Sequence, residues 1–130
     1  MNDDDIKKWI YGGMGVQSHS HNHFDLTKLS NNDIIKELEI SKNYFKDKFN
    51  IESDVFCYPF GKVNKNVYEL TKKIYKNAVT TNRSRYNINK HSPFLIPRID
   101  MGKNVSLIKL YFKLKTIYED IKFKNNELYL

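Results

Sequence analysis

Cysteine occurs once in these 130 residues, at Cys57, so the chain can form no internal disulfide and declares no redox compartment. Three prolines and five glycines leave no linker rich in either. The length suits one domain with its own core. No apolar run approaches the roughly 20 residues needed to cross a bilayer, and no basic-then-apolar leader opens the chain. Nothing in the sequence directs export, and its location stays open. Arginine is scarce as well, with three against nineteen lysines in a net charge of +7. Recognition of bases and phosphates favours the two-pronged guanidinium, and here the lysines are scattered through helical segments rather than gathered in a block. Together with abundant Asn, Ile, Tyr and Phe this resembles the usage of an AT-rich genome, and no nucleic-acid partner is expected. Weak attraction to anionic glycans is compatible with it.

Histidine, by contrast, is concentrated. Three of the four fall within Ser18-His19-Ser20-His21-Asn22-His23, and His19 and His23 stand at i and i+4. Two neutral imidazoles at that spacing can converge on one ion from a single turn. A solvated polar loop after the glycine-rich stretch Gly12 to Gly15 is the competing reading, and two ligands alone do not make a site.

The pattern along the chain alternates helix and strand. Asp3 to Tyr11 is expected as a short helix whose acidic start, Asp3-Asp4-Asp5, serves to cap free backbone N–H groups. Gly15 to Ser18 is expected as a short strand delivering the histidines. Ser30 offers an N-cap, and Ile34, Ile35, Leu38, Ile40, Ser41, Tyr44, Phe45 and Phe49 mark the apolar face of a long helix ending near Asn50. Val55 to Tyr58 reads as a buried strand stopped by Pro59 and Gly61, Asn64 to Lys76 as a second long helix, and Ala78 to Thr81 as the next strand. Asn82 to Ser92 is a polar loop and Leu95 to Ile99 a short extended segment. A closing helix is predicted over Ser106 to Ile121 with Leu107, Leu110, Tyr111, Leu114 and Tyr118 inward, residues 113–130 forming the C-terminal helix and tail. This order means parallel strands flanked by helices.

In order, the His19-Ser20-His21-Asn22-His23 cluster, the helical Glu37-Leu38-Glu39-Ile40-Ser41-Lys42 run, Tyr58-Pro59-Phe60-Gly61, Asn77 to Thr81 and Phe94-Leu95-Ile96-Pro97-Arg98-Ile99 resemble the polysaccharide deacetylase family, the NodB-homology carbohydrate esterases. The resemblance covers roughly residues 6 to 112. It implies an α/β fold, a partial (β/α) barrel, with residues 1–130 as a single partial domain. The family's opening strand, ending in Thr-Phe-Asp-Asp-Gly with the general base and the acidic metal ligand, has no counterpart here.

What the resemblance implies can be placed residue by residue. His19 and His23 would bind a divalent metal ion, zinc first, in a hydrolase that removes N-acetyl groups from an amino-sugar polysaccharide or oligosaccharide. Ser20 would shape the loop between them, and His21 is extra to the motif. The backbone N–H of Phe60 would hold the oxyanion, and Tyr58, Pro59 and Phe60 would line the substrate groove. Cys57 stands where many relatives carry an Arg that orients the catalytic Asp, and Arg98 is the candidate replacement. His91 is a weak candidate for the acid. Asp25 and Asp100 are the internal candidates for the acidic ligand, Asp25 reading better as a turn residue. The alternative is a catalytically inactive metal- or glycan-binding remnant of such a deacetylase. Family members are often extracytoplasmic.

Overall fold

The computed structural model describes residues 2–122 apart from Ile117; of the C-terminal helix and tail expected over residues 113–130, the part from 123 onward lies outside the described residues. Helix α1 (Asp3–Tyr11) starts with a reciprocal cap in which Asn2 accepts from the Asp5 amide and Asp5 accepts from the Asn2 amide. Its acidic first turn therefore caps the helix, as expected. Helix α2 (Asn31–Phe49) is opened by Ser30, whose Oγ accepts from the Asp33 amide, and closed by Asn50 in the left-handed conformation. Helix α3 (Lys65–Ile74) is opened by Asn64 and buries Val67, Leu70 and Thr71, one stripe at helical spacing.

Among the described residues three parallel strands carry the sheet: β1 (Val55–Cys57), β2 (Asn77–Arg83) and β3 (Ile96–Arg98), in that spatial order. Phe56 stands opposite Ala78 and Cys57 opposite Val79, while Val79 pairs with Ile96 and Arg83 with Arg98. Five residues of β2, 79–83, thus stand against three of β3, 96–98, so β2 bulges. The Arg98 Nε donates to the Thr80 carbonyl at 2.6 Å, supplying a partner within the bulge.

The core lies where α2 and α3 close on the sheet. Leu26, Ile34, Leu38, Phe56, Tyr58, Val67 and Ala78 are buried there. Phe56 packs edge-on to Tyr58 and tilted on Tyr75, with ring centroids 5.4 and 5.0 Å apart. The Tyr75 hydroxyl donates to the Leu38 carbonyl at 2.9 Å, and burial raises its pKa to about 12.

Two expectations need correction. The strand expected over Gly15 to Ser18 is reduced to a single parallel bridge, Ser18 to Phe56. The Gln17 side chain takes the Val55 amide and the Ser53 hydroxyl takes the Ser18 amide, so side chains satisfy groups that a longer ladder would pair. The closing helix is split into α4 (Leu107–Lys115) and α5 (Tyr118–Lys122). On α4, Leu107, Tyr111 and Leu114 face solvent, whereas Lys113 is 5% exposed and donates to the Asp100 carbonyl at 2.6 Å. A buried ammonium that finds a carbonyl fixes the face of α4 against the expectation from apolar spacing.

Candidate functional site

The histidines sit beside the C-terminal end of β1, the usual place for sites in parallel α/β folds. His19 follows the bridging Ser18, and its Nδ1 lies 2.7 Å from the Cys57 carbonyl oxygen. A carbonyl only accepts, so Nδ1 donates, and in the neutral imidazole the lone pair falls on Nε2. The His19 and His23 ring centroids are 4.8 Å apart, edge to face, and the His23 ring meets Phe60 at 4.6 Å in the same manner. Both histidines are exposed. They are the two side chains of the cluster that could hold an ion between them.

Backbone strain collects at this place. Among the described residues, four other than glycine have positive φ: Ser20, His23, Asn50 and Phe60. Asn50 ends α2, and the other three form the site. Such conformations cost of order 1 kcal/mol or more each and persist where surrounding contacts enforce them. Ser20 Oγ accepts from the His23 amide at 3.0 Å. The Glu37 carboxylate accepts from the His21 amide at 3.1 Å, the Asn22 amide at 2.7 Å and Asn22 Nδ2 at 2.6 Å.

The turn after β1 forms the opposite wall. Gly61 and Lys62 amides donate to the Tyr58 and Pro59 carbonyls, while the intervening Phe60 amide has no acceptor among the described residues. Tyr58 and Pro59 are buried, and the Tyr58 hydroxyl donates to the Phe94 carbonyl at 3.1 Å. Burial pushes that phenol well above its ordinary pKa. Of the three residues expected to line the groove, Phe60 is the one exposed, at 58%.

The remaining candidates lie as follows. Asp25 caps the turn over Leu26–Lys28; its carboxylate takes the Thr27 amide and hydroxyl, and Lys62 Nζ at 2.7 Å. The Lys62 hydrogen bond, followed by those from Thr27, lowers its pKa to about 2. Asp100 accepts from the Gly102 amide and pairs with Arg83 at 2.5 Å, and the Gly102 bond and the Arg83 charge hold it below the usual carboxylate range. Neither is grouped with the histidines: among the described residues there is no set of three or more His, Cys, Asp or Glu side chains placed to hold a metal. Arg98 is committed to the Thr80 carbonyl. Burial raises the Cys57 pKa, with the Arg98 charge opposing. His91 Nδ1 accepts from the Asn87 amide in the loop between β2 and β3.

Sequence reasoning used Glu37 only as part of a motif and missed its hold on the histidine loop. The signal was an acidic residue, 6% exposed, within the apolar stripe of Ile34, Leu38 and Ser41.

Residues 1–79 match the family model described as polysaccharide deacetylase. The curated protein YxkH of Bacillus subtilis (strain 168) is 26% identical over 82 residues, 62% of this chain and 29% of that protein. Among solved structures, the Streptococcus pyogenes deacetylase PplD, in complex with acetate, superposes with a TM-score of 0.81 at 26% identity, over 88% of this chain and 51% of PplD. A polysaccharide deacetylase from Bacillus cereus gives 0.79 at 25% identity, over 86% of this chain and 36% of the other. This chain therefore spans about half or less of the length of these relatives. Its parallel strands with flanking helices form part of the (β/α) barrel of this type. With the family model spanning more than half of the residues and the paired histidines at the mouth of β1, the chain belongs to the polysaccharide deacetylase family.

Proposed function

We propose that this chain is a catalytically inactive metal- or glycan-binding form of the deacetylase site, carrying the histidine half of it. The observation that carries this reading is the pairing of His19 and His23, rings 4.8 Å apart, without an acidic side chain grouped with them among the described residues. The residues fit a divalent ion as two nitrogen ligands, because the Cys57 carbonyl fixes the hydrogen on His19 Nδ1 and leaves Nε2 to bind. Zinc is the first choice for such ligands, and when bound it would supply Lewis-acid polarisation of a carbonyl. The Phe60 ring, 58% exposed, offers an apolar face to a sugar, and its amide has no acceptor among the described residues.

A second reading has one observation in its favour. The solved relative PplD is a deacetylase in complex with acetate and shares the fold over 88% of this chain. Given a carboxylate from another segment, His19, His23 and the Phe60 amide would serve removal of N-acetyl groups from an amino-sugar glycan, with Arg98 a charged neighbour of the site. No described helix is long and apolar enough to cross a membrane.

Zinc titration calorimetry on the chain and on His19→Ala/His23→Ala, with acetate release from N-acetylglucosamine oligomers, separates the readings. Histidine-dependent uptake without acetate release is the expected result. Release of acetate would establish the second reading, and zinc uptake indifferent to both histidines would overturn both.

A further inference from the structure

The two histidines are four residues apart on a stretch that is neither helix nor strand, with left-handed backbone at Ser20 and His23. Three donors of the intervening residues, the amides of His21 and Asn22 and the Asn22 Nδ2, all turn to one side chain on another element, Glu37 of α2. Glu37 Oε2 takes both amides and Oε1 takes the side-chain amide, so both carboxylate oxygens are engaged by two consecutive residues. Consecutive N–H groups converging on an anion form a concave nest. Here the anion is the protein's own. The Glu37 side chain enters from beneath, 6% exposed, while His21 and Asn22 above it are exposed.

That arrangement separates the role of Glu37 from general stability. Without the carboxylate, water can reach the part-buried donors of these two exposed residues, so the loop loses its template rather than stranding polar groups. Helix α2 keeps its Ser30 cap, and the core contacts of Ile34 and Leu38 remain. What is lost is the shape of the span between the two histidines.

We propose that Glu37 is a positioning residue: its carboxylate is the internal anion that folds residues 20–23 so that His19 and His23 converge, setting metal affinity from behind the ligands. This rests on the metal reading above and deepens it. Supporting residues of this kind change metal affinity by about 10–100-fold.

The test compares the whole chain with Glu37→Ala, Glu37→Gln and His19→Ala/His23→Ala, by zinc titration calorimetry, thermal melting, and amide hydrogen exchange at positions 21 to 23 in the metal-free state. Gln keeps one oxygen for the two backbone amides, and its NH2 can face the Asn22 carbonyl oxygen after a flip of that amide. The expected result is zinc binding weakened by about 10–100-fold in Glu37→Ala, substantially restored in Glu37→Gln, with exchange faster at residues 21 to 23 and unchanged in α2. Wild-type affinity in Glu37→Ala overturns the proposal, as does an affinity that merely tracks the melting temperature across both variants. If the wild-type chain takes up no zinc through its histidines, the metal reading fails, and exchange alone decides the clamp: protection lost in Glu37→Ala supports it, and protection retained overturns it.

Discussion

Single residues on both walls of the site are held by polar contacts that cross between segments. Asp25 is the clearest, since its carboxylate joins the segment after the histidines to Lys62 beyond the Phe60 turn. Its pKa falls from the ordinary 3.8 to about 2, chiefly through the Lys62 hydrogen bond. A lowered folded-state pKa means the ionised form is favoured by folding, so the contribution is complete above 3.8 and fades as pH falls toward 2. The melting temperature of Asp25→Asn is therefore expected below wild type at neutral pH, with the gap closing on acidification through that window. A gap that stays constant down to pH 2 would show that the Lys62 pairing contributes nothing. The sequence showed Asp25 as a turn residue, which it is, but not its bond to Lys62, because partners 37 residues apart leave no local pattern.

Among the elements, helix ends were the most legible feature. Ser30, Asn50 and Asn64 sit at the boundaries read from the sequence, because caps are local: the Ser30 and Asn64 side chains accept from amides three residues on, and Asn50 takes the left-handed backbone that ends α2. The strand before the histidines and the inward face of α4 were not legible, since each is decided by distant partners: the Val55 amide on Gln17 and the Ser53 hydroxyl on Ser18 at one, the Asp100 carbonyl under Lys113 at the other. The same dependence on a neighbour governs the turn between β1 and α3. Gly61 has φ +68 and packs directly on β2, where an added Cβ would fall 1.9 Å from Thr81 Oγ1. Gly61→Ala meets both the backbone penalty and the clash, so a loss of more than about 1 kcal/mol is expected in urea denaturation. Replacing Thr81 by Gly as well should recover part of it, leaving the left-handed share. No recovery would place the whole cost in the backbone.

For the molecule as a whole, the alternation of helix and strand was enough to read a parallel sheet with flanking helices, because that pattern follows from periodicity alone. The site was legible in its histidines and only partly in their support: His19 and His23 stand out in the sequence and Glu37 interrupts an apolar stripe, whereas the bonds from Glu37 to the histidine loop are seen only in three dimensions. The core is correspondingly uneven. It is dense between α2, α3 and the sheet and thin at α4, where Leu107 is 83% and Ile108 72% exposed. Serine at both α4 positions should change unfolding free energy by no more than about 0.5 kcal/mol each, while Leu38→Ala should cost about 2–5 kcal/mol. Comparable losses at the two places, measured by chemical denaturation, would mean that α4 belongs to the core.

The contact between His19 and the Cys57 carbonyl also sets what substitution can and cannot reach. The acceptor belongs to the peptide backbone, so every amino acid at position 57 presents the same oxygen, and the aim of the imidazole is indifferent to which side chain stands there. Changing that aim requires moving the strand itself. Drift at this position can therefore alter the chemistry around the histidine while leaving its orientation as an inheritance of sheet register.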